Sequence, residues 1–264
     1  MGHRPGCETG RRMKMLQDRV ALVTGSSRGI GQAIAREFAR QGAAVAVHGR
    51  DSGAVASGVS AIRADGGTAL GVTGDVTSFA DIEALRQQAE DGLGPVDILV
   101  ANAGASLARP AALEDIPEPA WRATVDANLL ATFLTLKSFL PGMKARGHGA
   151  IITMASAAGR RADARSPIPY AAAKAGIALL TQDVAAQAGP DGIRVNCLAP
   201  ETIMTAGNQA RIPAALQAEL AGLHPLQRLG TPDDVAQAAV FLASDSAAWI
   251  TGLIVDVTGG AVMI

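Results

Sequence analysis

Tyr170 and Lys174 stand four residues apart near the start of an alanine-rich stretch with helical periodicity, so their side chains share one helix face. A free phenol titrates at about pH 10. A neighbouring ammonium favours the phenolate and brings that value toward working pH. Such a group can give or take the proton when a carbonyl and an alcohol are interconverted. Tyr170 is the only tyrosine in the chain, so phenol chemistry has a single address. Ser156, in the run Met154-Ala155-Ser156-Ala157-Ala158-Gly159, offers a hydroxyl to hold the reacting oxygen. Asn128 lies in an earlier helical pattern, where it can anchor a water that feeds protons to Lys174. A Tyr-x-x-x-Lys pair taken alone also occurs as an ordinary surface pair.

A second group of residues has the chemistry of a nucleotide site. A short apolar run ends in Thr24-Gly25-Ser26-Ser27-Arg28-Gly29-Ile30-Gly31 and passes into a helical pattern. Glycines there let the backbone approach a pyrophosphate at the positive end of the helix. The spacing, Gly25, Gly29, Gly31, departs from the common G-x-G-x-x-G fingerprint. Arg28 at a helix N-terminus faces the dipole unfavourably unless an anion binds beside it. The next apolar run ends His48-Gly49-Arg50-Asp51. A ribose 2′-hydroxyl calls for a carboxylate at this strand end, a 2′-phosphate for an arginine. Arg28 and Arg50 therefore favour NADP over NAD, and Asp51 keeps the NAD alternative open. Asp75 can accept from an adenine amino group with Val76 against the ring, or can simply cap the following helix. Asn102, Ala103 and Gly104 are small enough for a cofactor to lie over the strand that they end.

Placing these residues requires alternating strands and helices. Strand-length apolar runs occur at Val20–Thr24, Ala44–His48, Thr68–Thr73, Ile98–Ala101, Ala150–Met154, Ile193–Ala199 and Leu253–Val257. Most are continuously apolar, as in a parallel sheet buried on both faces. Helical periodicity fills Gly31–Gln41, Ser78–Asp91, Trp121–Met143, Tyr170–Ala188 and Asp233–Ala243. The alternation predicts an α/β fold of βαβ units with right-handed crossovers. No linker, charge block or repeat interrupts it, so residues 16–264 read as one domain. The irregular Thr205–Leu223 stretch is long enough to serve as a substrate lid around residues 205–224.

Bulk composition excludes other classes. The 264 residues are 48% hydrophobic with a formal net charge of -1, which gives no pull toward nucleic acid or a membrane surface. No apolar run approaches the roughly 18–20 residues of a membrane span. Residues 1–15 read as a disordered basic leader ahead of a start at Met15, without the apolar middle of a secretory signal. Two cysteines, Cys7 and Cys197, in a chain with this much core point to a reducing cytoplasm. The four histidines are scattered without ligand spacing, so no metal site is expected.

Taken together, Thr24–Gly31, Asp75-Val76, Asn102-Ala103-Gly104, Asn128, Ser156, Tyr170 with Lys174, and Asn196-Cys197-Leu198-Ala199-Pro200 resemble the classical short-chain dehydrogenase/reductase family, from about Gln17 to the C-terminus. The resemblance implies a single-domain Rossmann fold: a doubly wound, seven-stranded parallel sheet flanked by helices on both faces. It implies Tyr170 as acid/base, Ser156 orienting the carbonyl, Lys174 holding the nicotinamide ribose and tuning Tyr170, and Asn128 supporting the proton relay. Pro200, the Ile203 backbone and Thr205 would hold the nicotinamide end. A homotetramer built through Trp121–Met143, Tyr170–Ala188 and Leu253–Val257 is also implied.

Three departures stand out: Ala101 for a frequent asparagine, Glu201 where the family usually has glycine, and a Ser156–Tyr170 segment one residue longer, carrying Arg160, Arg161, Asp163 and Arg165. The family look is closest to 3-oxoacyl-acyl-carrier-protein reductases. The expected activity is NADPH-dependent interconversion of a ketone and a secondary alcohol, the three arginines meeting an anionic substrate or an acyl carrier protein, or else forming a solvated loop. An NAD-linked alcohol, polyol or steroid dehydrogenase and a non-catalytic nucleotide sensor are the alternatives.

Overall fold

The computed structural model describes residues 14–264. Most of the expected leader lies outside the described residues. Its last residue, Met15, donates its backbone N–H to Gln41 Oε1, and Leu16 beside it is buried.

Seven strands form one parallel sheet: β1 Val20–Val23, β2 Ala44–Gly49, β3 Thr68–Thr73, β4 Ile98–Ala101, β5 Gly149–Met154, β6 Ile193–Pro200 and β7 Ile254–Val257. Their spatial order is β3-β2-β1-β4-β5-β6-β7. The strands are short and apolar because both faces are covered. In β1, Ala21 and Val23 join one core with Ile34 and Phe38 of helix α1 (Gly29–Arg40), while Leu22 joins the opposite core. Helices α2 (Ser52–Ala64) and α9 (Pro232–Ala243) share the face of α1; α3 (Phe79–Leu93), α5 (Ala131–Arg146) and α6 (Ile168–Ala188) cover the other. A fully buried side chain such as Phe38 or Leu22 contributes about 1.5–3 kcal/mol relative to exposure.

Helix α2 carries no strong pattern in the sequence. Asp51 starts it, accepting from Ala54 N at 2.9 Å, and Val55, Val59 and Ile62 bury its inner stripe.

The expected helix over Trp121–Met143 is three pieces: α4 (Glu118–Val125), a π-turn over Asp126–Leu130, and α5. Thr124, Thr132 and Thr135 each donate a hydroxyl to a carbonyl four residues back. Asn128 Nδ2 donates to Thr124 O and to Ala105 O, both at 2.8 Å. The widened turn thus lets Asn128 bond its own helix and a loop outside it.

The Thr205–Leu223 stretch is not irregular. It holds two short helices, α7 (Ala206–Arg211) and α8 (Ala214–Gly222), neither with a buried residue. Without a buried stripe, the apolar spacing that marks a packed helix is missing.

Candidate active site

The chain reverses its strand order between β1 and β4, and the crevice at such a point lies beyond the carboxyl ends of the strands. A cavity of about 490 Å³ occupies that place. The turn after β1 forms one wall. Gly25 and Gly29 adopt φ of 65° and 61°, which favours glycine. A Cβ on Gly31 would lie 2.5 Å from both Asn102 Nδ2 and Gly25 O. Asn102 reaches back across this point, donating to Thr24 O and Gly25 O, and locks the turn to the end of β4. Arg28 precedes α1 without a side-chain cap, and no acidic residue occupies the helix's first turn. The helix N-terminus therefore opens onto the cavity with its positive end unneutralised, as a pyrophosphate requires.

His48 went unremarked as a site residue in the sequence, yet it lines this cavity. Its Nδ1 accepts from Gly25 N at 3.0 Å, and its Nε2 faces Gly74 O at 3.1 Å and donates there. Both partners demand a neutral ring, and burial holds its pKa below the ordinary histidine value. The ring thereby braces the glycine turn against the end of β3. Only its position on β2 brings these partners together.

Of the expected cofactor residues, Gly25, Ser27, Arg28, Ile30, Gly31, Arg50, Asp75, Val76, Asn102, Ala103, Gly104, Pro200, Ile203 and Thr205 line the cavity. Ser26 and Gly29 do not. Ser26 turns inward, its hydroxyl donating to Val23 O and its N–H to His48 O, so neither group faces a ligand. Asp51 is spent as the α2 cap. Asp75 is not the cap of α3, a role that Ser78 fills. Its Oδ1 accepts from the backbone and hydroxyl of Thr77, which hold its carboxyl below the usual range. Thr205 also caps α7, and Asn208, one turn on, joins the cavity wall.

Ser156, Tyr170 and Lys174 line the same cavity. Lys174 is buried and donates to Met154 O at 2.7 Å; burial brings its pKa down to about 8. Its Nζ lies 5.5 Å from the Tyr170 ring centre. The expectation that Lys174 lowers the phenol's pKa is corrected here: burial pushes Tyr170 upward, and the Ser156 hydroxyl offsets only part of that. Asn128 is fully buried behind this group, with Oδ1 lacking a hydrogen-bond partner. A Cβ on Gly104 would sit 2.6 Å from that oxygen and 3.3 Å from Lys174 Nζ, so glycine leaves the passage between them open.

The arginine segment also differs from expectation. Arg160 forms a two-pronged ion pair with Asp256 on β7 at 2.9 and 3.1 Å, and Arg165 pairs with Asp163. Arg161 is exposed. No helix among the described residues is long and apolar enough to cross a membrane.

The chain is similar to known proteins over most of its length. Residues 25–262 match a family model described as enoyl-(acyl carrier protein) reductase. The chain is 41% identical to the cis-4-hydroxycyclohexanecarboxylate dehydrogenase of Sinomonas cyclohexanicum, over 92% of this chain and 96% of that one. A gluconate 5-dehydrogenase from Burkholderia cenocepacia, solved with NADP and tartrate, superposes with a TM-score of 0.87 at 35% identity, over 94% and 97% of the chains. A 3-oxoacyl-[acyl-carrier protein] reductase from Brucella melitensis, solved with bound NAD, gives 0.87 at 33% identity, over 100% and 99%.

Proposed function

Because the chain belongs to the short-chain dehydrogenase/reductase family, whose members are oxidoreductases acting between CH–OH and C=O groups, we propose that it reduces a ketone to a secondary alcohol with NADPH. The observation that carries this reading is the convergence of Ser156, Tyr170 and Lys174 on the cavity that the Gly25–Gly31 turn opens. A bound nicotinamide nucleotide supplies the hydride. The chain supplies the proton and the geometry. Ser156 Oγ holds the carbonyl oxygen, and Tyr170 Oη gives it a proton. Burial keeps that phenol protonated at working pH, which suits a proton donor. Lys174, with a pKa of about 8, holds an exchangeable proton one turn away, and the unpartnered Asn128 Oδ1 marks where a relaying water would be received.

Arg28 and Arg50 line the cavity and are exposed, as a 2′-phosphate would use them, while Asp51 is engaged elsewhere. The two relatives solved with nucleotide carry NADP in one case and NAD in the other. Both 3-oxoacyl groups and hydroxy acids appear among the relatives' names, so the substrate class proposed is a carbonyl compound bearing an anionic group or carrier. Arg161 is the arginine free to meet it. Two short helices without buried residues, at 206–222, form the proposed lid. The proposed assembly is a homotetramer, and the buried free thiol of Cys197 suits a reducing cytoplasm.

A panel of ketones, 3-oxoacyl thioesters and hydroxy acids, followed by NADPH and NADH absorbance, tests the reading. Tyr170→Phe is expected to lower kcat by about 10²–10⁴-fold with little change in cofactor affinity. Full turnover in that variant, or a kcat/KM favouring NADH, would reject the mechanism or the cofactor respectively.

A further inference from the structure

At the cavity's edge β6 runs into Glu201, and His224, 23 positions on, follows α8, so that the two bracket α7 and α8. The Glu201 carboxylate accepts from the Thr202 N–H, from the Thr202 hydroxyl at 3.1 Å, and faces His224 Nε2 at 2.7 Å. His224 is only 4% exposed. Its Nδ1 faces Leu220 O at 2.8 Å, and that carbonyl can only accept, so Nδ1 carries a proton. Nε2 and Glu201 Oε2 then share another, as an ion pair or a neutral hydrogen bond. Two residues after Glu201, Ile203 bridges to Gly230, with Gly230 N donating to Thr202 O and Met204 N to Gly230 O. The two ends of the 205–223 segment are thus fastened to each other, while the helices between them hold no fully buried residue.

The fastened segment that follows β6 has a second attachment. Pro200 O accepts from the Ser156 hydroxyl at 3.4 Å, and Glu201 and Ile203 line the cavity beside it. We propose that Glu201 and His224 form a clasp of positioning residues. It closes the base of the lid and holds the Pro200–Thr205 segment in place for the nicotinamide half of the cofactor. This rests on the nicotinamide reading of the site. The clasp fixes the base of the lid, and α7 is tied to the same segment, with Thr205 capping it and Asn208 Nδ2 donating to Ile203 O at 2.8 Å.

Glu201→Gln removes the charge with almost no change in shape, and His224→Asn removes the partner. Two measurements on the full chain test the clasp. Hydrogen exchange without ligand reads the lid; fluorescence titration compares NADPH with 2′-phospho-ADP-ribose, which lacks nicotinamide. The expected result is exchange over 205–223 faster by about tenfold with the sheet unchanged, and NADPH affinity down by about tenfold with the nicotinamide-free ligand bound as before. The double variant should be no worse than either single one. Unchanged lid exchange, equal weakening of both ligands, or additive losses would overturn the proposal. If His224→Asn does not fold, Glu201→Gln decides the point by itself. If the unaltered protein binds neither NADPH nor NADH, the proposed function fails, and the exchange measurement still judges the clasp.

Discussion

Lys174 shows how burial sets the chemistry of a side chain. Its amine sits in the protein with Met154 O as its acceptor, and desolvation brings its pKa from 10.5 down to about 8. Between those two values the unfolded chain holds a proton that the folded chain does not. Stability therefore rises with pH from about 8 to about 10.5 on account of this group, and its burial penalty is fully present below 8. Tyr170 and Cys197 are shifted upward by burial and act in the opposite sense, so the comparison must be made by difference. Urea unfolding of the unliganded protein at pH 7, 8.5 and 10 should show Lys174→Met gaining on the wild type at pH 7 and losing that gain by pH 10. A difference independent of pH would reject the downward shift. That Tyr170 and Lys174 share a helix face was legible from spacing, but the direction of the Tyr170 shift was not: proximity of a cation in sequence says nothing about how deeply the phenol is buried.

Among the elements, the segment between Ser156 and Tyr170 shows the same limit. Its arginines read as a charged mouth. The fold instead brings β7 alongside, and Asp256 takes Arg160 in a bidentate pair with both side chains largely covered. Arg160→Met leaves Asp256 partly buried without its partner, and should cost about 1–3 kcal/mol in urea unfolding at pH 7. A loss below a few tenths would mean that the pair is solvent-screened and that Arg160 is free to serve a ligand. The π-turn at Asn128 was equally hidden. Periodicity carries through Trp121–Met143 because one extra residue barely disturbs the apolar count; only the hydrogen bonds to Thr124 and Ala105 reveal the widened turn. The strands, by contrast, were predicted to within a residue or two, since continuous apolar runs of that length have few other uses.

The whole molecule leaves an apolar surface uncovered. Phe133 on α5 and Leu179 on α6 are 44% and 60% exposed, and Trp249, just before the edge strand β7, is fully exposed. An open sheet edge beside apolar side chains calls for a partner. The proposed tetramer would cover the α5–α6 face and the β7 edge. Leu179→Glu should lower the mass seen by analytical ultracentrifugation by at least half; an unchanged mass would place the interface elsewhere.

The order of the strands, the glycine turn and the shared helix face of Tyr170 and Lys174 follow from the sequence, because backbone periodicity and local spacing are properties of neighbours along the chain, while the grouping of Ser156 and Asn128 with them rests on the family resemblance. The tertiary structure decided the rest. It put His48 under the glycine turn, spent Asp51 on a helix cap, paired Arg160 with Asp256, and closed Glu201 onto His224. Each of these joins groups that chain spacing does not pair, and a hydrogen bond or ion pair forms only where folding has brought donor and acceptor together and taken the water away.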